Sequence, residues 1–250
     1  MENEEIKNTD VASNPEEDRT NSYIDKALQW IRWMVIAFFT LTLLPVIVYR
    51  FVPPPVTPLM IKRSFERRSE NKKPCITKDW VRLKKISPHL IQAVVASEDN
   101  RFMEHWGIDL QAIEDAVEHN KKSRRKRGAS TISQQTAKNV FLWPARTYTR
   151  KAFELYFTTI IELTWGKKRI MEVYLNVIEM GDGIYGAEAA AKKYFNKPAS
   201  KLTKREAALI AAALPNPRKR NPATPSSYMM RRQAKILDLM NKITTVQFYE

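Results

Sequence analysis

Two adjacent carboxylates, Glu98 and Asp99, close an apolar run, Leu90-Ile91-Gln92-Ala93-Val94-Val95-Ala96. Ser87-Pro88 ahead of it has the form of an N-cap followed by proline at the first helical position. The run is therefore read as a helix, with Glu98 near its C-terminal end. A carboxylate leaving a buried helix there is poorly solvated and faces the negative pole of the helix dipole, and both effects raise its pKa. An acid or base poised in this way suits general acid–base chemistry. An exposed Glu-Asp pair at a helix end is the plainer alternative. Further on, a helix beginning near Ile132 would carry Gln135, Lys138 and Asn139 on one face. An amide beside an ammonium suits a sugar–phosphate ligand, and equally an ordinary polar surface.

Positioning these side chains falls to helices. Asp109 can cap a helix whose Leu110, Ile113, Ala116 and Val117 share a face. Thr131-x-x-Gln134 has the form of a capping box for a helix running to about Leu142. Arg150–Trp165 and Lys167–Ile178 read as two helices around Gly166. Thr203-x-x-Glu206 caps an Ala/Leu-rich helix that Pro215 stops, and a last amphipathic helix is expected over Ser226–Ile243. No stretch alternates as a strand would, and the chain has only six glycines. The expected fold class is mainly α, without internal repeats.

The N-terminal part reads differently. Residues 1–29 are polar and mixed in charge, as in a disordered tail. Trp33 to Tyr49 carries no charge and is bracketed by Arg32 and Arg50, with Trp30, Trp33 and Tyr49 placed as interfacial aromatics. Residues 30–52 are therefore expected to form one transmembrane anchor, which Pro45 can kink without forbidding. Residues 53–80, opening on Pro53-Pro54-Pro55, read as a stiff juxtamembrane linker, and residues 81–250 as the globular domain. Lys and Arg are more numerous just after the span than before it. That count would keep the large domain in the cytoplasm, but the rule is weak for long translocated domains.

Composition sets the outer bounds. A formal charge of +15, from 42 Lys+Arg against 27 Asp+Glu, calls for anionic partners: phosphates, nucleic acid or acidic headgroups. One cysteine excludes an internal disulfide framework. Three histidines without His-x-x-x-His spacing argue against a transition-metal site built by the protein. The run Lys121 to Arg127 reads as a solvated basic loop before it reads as a nucleic-acid site.

The string Glu98, Asp99, Phe102, His105, Gly107 and Asp109 resembles the first motif of the peptidoglycan glycosyltransferases, which polymerise lipid II into glycan strands. Gly128-Ala129-Ser130-Thr131-Ile132-Ser133-Gln134-Gln135-Thr136-Ala137-Lys138-Asn139 matches the second at every fixed position. Arg146, with Arg150-Lys151-Ala152-Phe153-Glu154, resembles the third. Arg169-Ile170-Met171-Glu172-Val173-Tyr174-Leu175-Asn176 is similar to the fourth, and Ala208–Pro217 to the fifth. All five occur in order over roughly residues 85–225.

The resemblance implies a lysozyme-like domain on one N-terminal transmembrane helix, acting on lipid II and the growing lipid-linked strand. In that reading a sugar 4-hydroxyl attacks the anomeric carbon of a chain carried on a lipid diphosphate, with inversion and release of polyprenyl diphosphate. Glu98 is the base. Lys138, Arg146, Arg150 and Lys151 neutralise the diphosphate, for which the arginine fork is suited. Glu154 matches the family's second important carboxylate. Asp99, Phe102, Ser130, Gln135, Asn139, Arg169, Glu172 and Asn176 carry over as site-lining or supporting residues. Glu172 and Asn176, four apart on a helix, fit a structural hydrogen-bonding pair equally well, and Phe102 fits packing around Glu98.

No metal ligands or built-in cofactor are implied; Mg2+ on the substrate's own diphosphate is compatible with the chemistry. The implied partners are the cytoplasmic membrane and other cell-wall synthesis proteins, with no nucleic acid. The implied location is the bacterial cytoplasmic membrane, single-pass, with the domain on the outer face. Ser69-Glu70-Asn71-Lys72 and Ser123-Arg124-Arg125-Lys126 match a transpeptidase Ser-x-x-Lys, but no Lys-Thr-Gly follows, so the monofunctional form is expected. Two other readings remain: a lytic muramidase with Glu98 as a protonated acid, and a membrane-tethered scaffold without catalysis.

Overall fold

The computed structural model describes residues 15–71, 73–123, 128–145 and 147–248, with side chains from Tyr23 onward. Arg146 and Arg124–Arg127 of the expectations above lie outside the described residues. The chain divides into two compact units, Met1–Val48 and Tyr49–Glu250.

The first unit is built on α1 (Pro15–Phe51), whose end belongs to the second. Its Tyr23–Phe51 stretch is long and apolar enough to cross a membrane, and the apolar side chains of that stretch are largely exposed. Residues 15–29, read from their polarity as tail, are the first turns of this helix. No proline or glycine lies between Glu16 and Leu44, so nothing breaks a helix propagating from the apolar segment.

The second unit opens on α2 (Pro58–Ser69), within the stretch expected to be linker. Thr57 caps it through Met60 N, Pro58 takes the first turn, and Met60 is fully buried. There follow α3 (Pro88–Glu98), α4 (Leu110–Lys122), α5 (Ile132–Phe141), α6 (Tyr148–Val177), α7 (Ala187–Phe195), α8 (Lys204–Ala213) and α9 (Ser227–Lys242). The expected caps Ser87, Asp109, Thr131 and Thr203 each accept a backbone N–H of the first turn, and Ser226 does the same for α9. Capping boxes close on Gln134 and Glu206. Gly166 breaks α6 into two helical pieces at φ 70°, ψ 163°, a conformation open almost only to glycine.

Strands are few and short: β1 (Thr77–Lys78), β2 (Glu179–Gly181) and β3 (Ile184–Tyr185), in the order β1-β3-β2. β1 runs parallel to β3, pairing Thr77 with Ile184, and β2 and β3 form a hairpin. The unit is mainly α, as expected.

Two helix clusters make the core. In one, α3 packs on α8 and α9. Leu90, Ala93 and Val94 of α3 are fully buried, as are Ala207, Ala208, Ala211 and Ala212 of α8, small residues that allow a close helix approach. In the other, α5 lies along α6, with Phe141 stacked on Phe157 at 4.7 Å and tilted against Trp165. Glu98 ends α3 in the first cluster, while Gln135 and Lys138 ride on α5 in the second. The site forms where the two clusters face each other.

Candidate active site

Glu98 is the last residue of α3, beyond six buried apolar residues of that helix. Gln135 Nε2 donates to its Oε2 at 3.3 Å, and Tyr174 Oη donates to Gln135 Oε1 at 3.2 Å. Tyr174 is fully buried, and burial holds its phenol well above the usual range, so it stays a proton donor. The amide of Gln135 must therefore offer its oxygen to Tyr174 and its NH2 to Glu98. Arg232 of α9 brings Nη2 to 3.9 Å from Glu98 Oε1. Burial raises the Glu98 pKa; the Gln135 hydrogen bond and the charges of Arg232, Lys138 and Arg220 partly offset it. The result is a desolvated carboxylate with a raised pKa, more basic than an exposed glutamate, as general base work requires.

Asp99, its neighbour, does a different job. Its Oδ1 meets His105 Nε2 at 2.9 Å, and its Oδ2 accepts Ile132 N at 2.9 Å, tying the first N–H of α5 to the end of α3. Thr131 reinforces the join by donating to Gly107 O. Asp99, His105 and Asp109 have ligand atoms within 4.8 Å of one another, the grouping among the described residues most like a metal set. Both Asp99 oxygens are engaged, and Asp109 Oδ1 caps α4 through Ala112 N. Their chemistry is that of a structural tether.

Lys138 sits one turn beyond Gln135. Burial lowers its pKa, with Arg150 and Lys151 adding repulsion and Glu154 and Glu98 opposing it. It has no hydrogen-bond or ion-pair partner among the described residues. Arg150 and Lys151 grip opposite oxygens of Glu154, which is buried at 3% exposure. Glu154 is thus a strut that aims the Arg150 guanidinium.

A cleft of about 710 Å³ joins these parts, lined by Glu98, Ser130, Gln135, Lys138, Asn139 and Arg150 among others. The Asn139 Nδ2 in its wall is buried without a hydrogen-bond partner among the described residues. On the other side of Glu98 lies a smaller cavity of about 200 Å³, walled by Asp99, Asp109 and the 128–131 segment. Glu98 and Ser130 face both spaces. A group entering the small cavity and an anionic ligand in the cleft would meet at the Glu98 carboxylate.

Several residues expected at the site are spent elsewhere. Phe102 is fully buried beneath the Lys167 ammonium, 4.6 Å from its ring centre. Arg169 donates to Tyr49 O and Val52 O, lies over the Trp80 ring and pairs with Glu172. Glu172 Oε2 accepts Leu83 N, and Asn176 exchanges hydrogen bonds with both backbone groups of Val81. Glu172 and Asn176 clasp the segment leading into α3, and Arg169 holds the chain where α1 ends, all outside the cleft lining. Asn176 Nδ2 also donates to Glu172 O, in line with the structural pairing that the spacing of these two allows.

Conversely, the reading of the sequence passed over Tyr174, Arg220 and Arg232. Tyr174 stands inside the fourth motif. Arg232 is one basic residue among many on α9, and only the packing of α9 on α3 singles it out.

The transglycosylase family model matches residues 68–241. The biosynthetic peptidoglycan transglycosylase of Bacteroides thetaiotaomicron is 59% identical over 220 residues, covering 88% of this chain and 89% of that protein. The protein of the same name from Bdellovibrio bacteriovorus is 54% identical over 210 residues, 84% of each chain. That from Shewanella oneidensis is 45% identical over 223 residues, covering 89% of this chain and 95% of the relative.

Proposed function

The chain belongs to the transglycosylase family, and from that premise we propose that it polymerises lipid II into the β-1,4 glycan strands of peptidoglycan. The observation that carries the reading is the pairing, in one cleft, of a desolvated, hydrogen-bonded Glu98 with a Lys138 whose ammonium has no hydrogen-bond or ion-pair partner among the described residues. A neutral glycan substrate has no need of a desolvated ammonium; a diphosphate does.

The proposed reaction is a single displacement. Glu98 takes the proton of the acceptor sugar's 4-hydroxyl as that oxygen bonds to the donor's anomeric carbon. The bond from that carbon to the diphosphate oxygen breaks, and the diphosphate leaves with the electron pair. Lys138 and Arg150, aimed by Glu154, stabilise the charge that builds on it. No enzyme carboxylate becomes the nucleophile, so the anomeric carbon inverts. Arg146 is assigned to the same clamp by its place in the third motif. Any Mg2+ in the reaction would be carried by the substrate's diphosphate oxygens.

A lipid-linked substrate stays in the bilayer, and the apolar α1 suits an enzyme that searches the same surface. We assign α1 as a single-pass anchor in the cytoplasmic membrane, with the domain on its outer face and other cell-wall synthesis proteins as candidate partners.

The test is polymerisation of labelled lipid II by full-length protein in detergent, wild type beside Glu98→Gln. Polymer from wild type and a loss of about a hundredfold to ten-thousandfold in the variant are expected, given the size of general base effects. Equal activity would remove Glu98 from its role. Cleavage of finished glycan without polymerisation would favour the muramidase reading.

A further inference from the structure

α2 was expected to be linker, and the family match begins at residue 68, near its end. Yet Leu59, Lys62 and Arg63 of α2 line the same cleft as Glu98, Lys138 and Arg150. The helix is held there: Thr57 and Met60 are fully buried, and α2 packs against α5, which carries Lys138. Lys62 Nζ reaches Pro144 O at 3.3 Å, on the loop joining α5 to α6, and lies 3.4 Å from Glu66. Both are exposed contacts that an anion in the cleft can replace at little cost.

Beneath Lys62 the polar groups are incompletely matched. Arg63 is bound by Glu66, and its Nε lies 3.4 Å from Glu179 Oε2 without a hydrogen bond. Glu179 Oε1 and Tyr185 Oη are likewise buried without a well-formed hydrogen bond among the described residues. Glu179, in the cleft wall, is 5% exposed, and burial raises its pKa despite Arg63, the Gly183 backbone N–H and Arg218 nearby. Buried polar atoms left open at one edge of a cleft mark a place that a ligand or water completes.

We propose that α2 is part of the substrate site, Lys62 binding the diphosphate of the lipid-linked substrate and Arg63, braced by Glu179, positioning that wall. The inference rests on the glycan-polymerising reading. Lysine suits the task as a mobile point charge, whereas Arg150 is fixed by its strut. Chain order supports the assignment. α2 follows the apolar helix directly after Pro53–Pro55, and the substrate's diphosphate sits where its polyprenyl tail enters the bilayer.

The experiment compares wild type, Lys62→Gln and Lys62→Arg, full length and in non-ionic detergent. The expected result for Lys62→Gln is a KM for lipid II raised about tenfold with kcat within about twofold, the loss of one charge-assisted contact made throughout the reaction. Lys62→Arg should recover most of it, with unchanged thermal midpoints. In the same detergent, binding of farnesyl diphosphate should weaken about tenfold in Lys62→Gln, while farnesol binding does not change. That second measurement needs no turnover, so an inactive wild type would sink the polymerase reading and leave the anion site to be judged on binding. Unchanged KM and unchanged diphosphate binding would overturn the proposal. So would kcat falling with the thermal midpoint in both variants, the sign of a purely structural strap. A defect seen only on vesicles of anionic lipid, and absent in detergent, would assign Lys62 to headgroups and overturn it equally.

Discussion

Glu98 has to be desolvated and still able to take a proton, and the groups around it divide that labour. Desolvation raises its pKa; Gln135, Arg232 and Lys138 oppose that rise. Its pKa is raised in the fold, so the base becomes protonated, and the rate falls, as pH drops through a value above the ordinary 4.5 of a glutamate. Removing Arg232 takes away a cation 3.9 Å from the carboxylate and lifts that value further. Arg232→Met should therefore move the acid limb of the kcat/KM profile to higher pH and leave the rate on its alkaline plateau largely intact. A pH–rate profile from 4 to 9 would show it, and an unmoved limb would mean that Arg232 does not act on Glu98. Glu98 and Lys138 were legible in the sequence because their motif spacing is local. Arg232 was not, since its role exists only once α9 packs on α3.

At the scale of elements, the site depends on how α3 hands the chain to α5. Asp99 bridges that junction, with one oxygen on His105 and the other on the first N–H of α5. Asp99→Ala leaves a buried N–H and a buried imidazole nitrogen without partners, a loss of about 3 kcal/mol. Asp99→Asn keeps an oxygen for Ile132 N and an N–H for His105, and should cost about 1 kcal/mol. Denaturant unfolding of the detergent-solubilised chain would separate the two; equal losses would mean that charge matters more than the bonds. The helix starts were readable because a cap is written in three or four consecutive residues, as at Thr131-x-x-Gln134. Thr57-Pro58 carries the same signal, but the charges of Lys62-Arg63 and Arg67-Arg68 masked the helix that follows. β1 and β3 could not be read: each has two residues, and Thr77 pairs with Ile184 through packing that no local pattern records. Arg169, Glu172 and Asn176 show another limit, because a motif marks residues that matter without saying whether for substrate or for fold.

At the scale of the whole molecule, two forces could hold this chain to a membrane, and only one of them is weakened by salt. A formal charge of +15 attracts anionic headgroups, an interaction that fades as the Debye length shrinks to about 3 Å near 1 M salt. The Tyr23–Phe51 stretch, 29 residues long, would extend about 44 Å as a helix, more than the roughly 30 Å of a bilayer's hydrocarbon core. Its burial in lipid is indifferent to salt, because the hydrophobic contribution grows with apolar area and is not screened. If α1 spans, full-length protein in membranes should stay in the pellet after washes with about 1 M salt and with alkaline carbonate, and leave only with detergent. The domain, if held by charge alone, would be released by the first wash. Deleting residues 1–51 should convert the first behaviour into the second, because Lys62, Arg63 and the other basic residues of Tyr49–Glu250 remain. Release of the full-length chain by salt would remove the anchor assigned to α1.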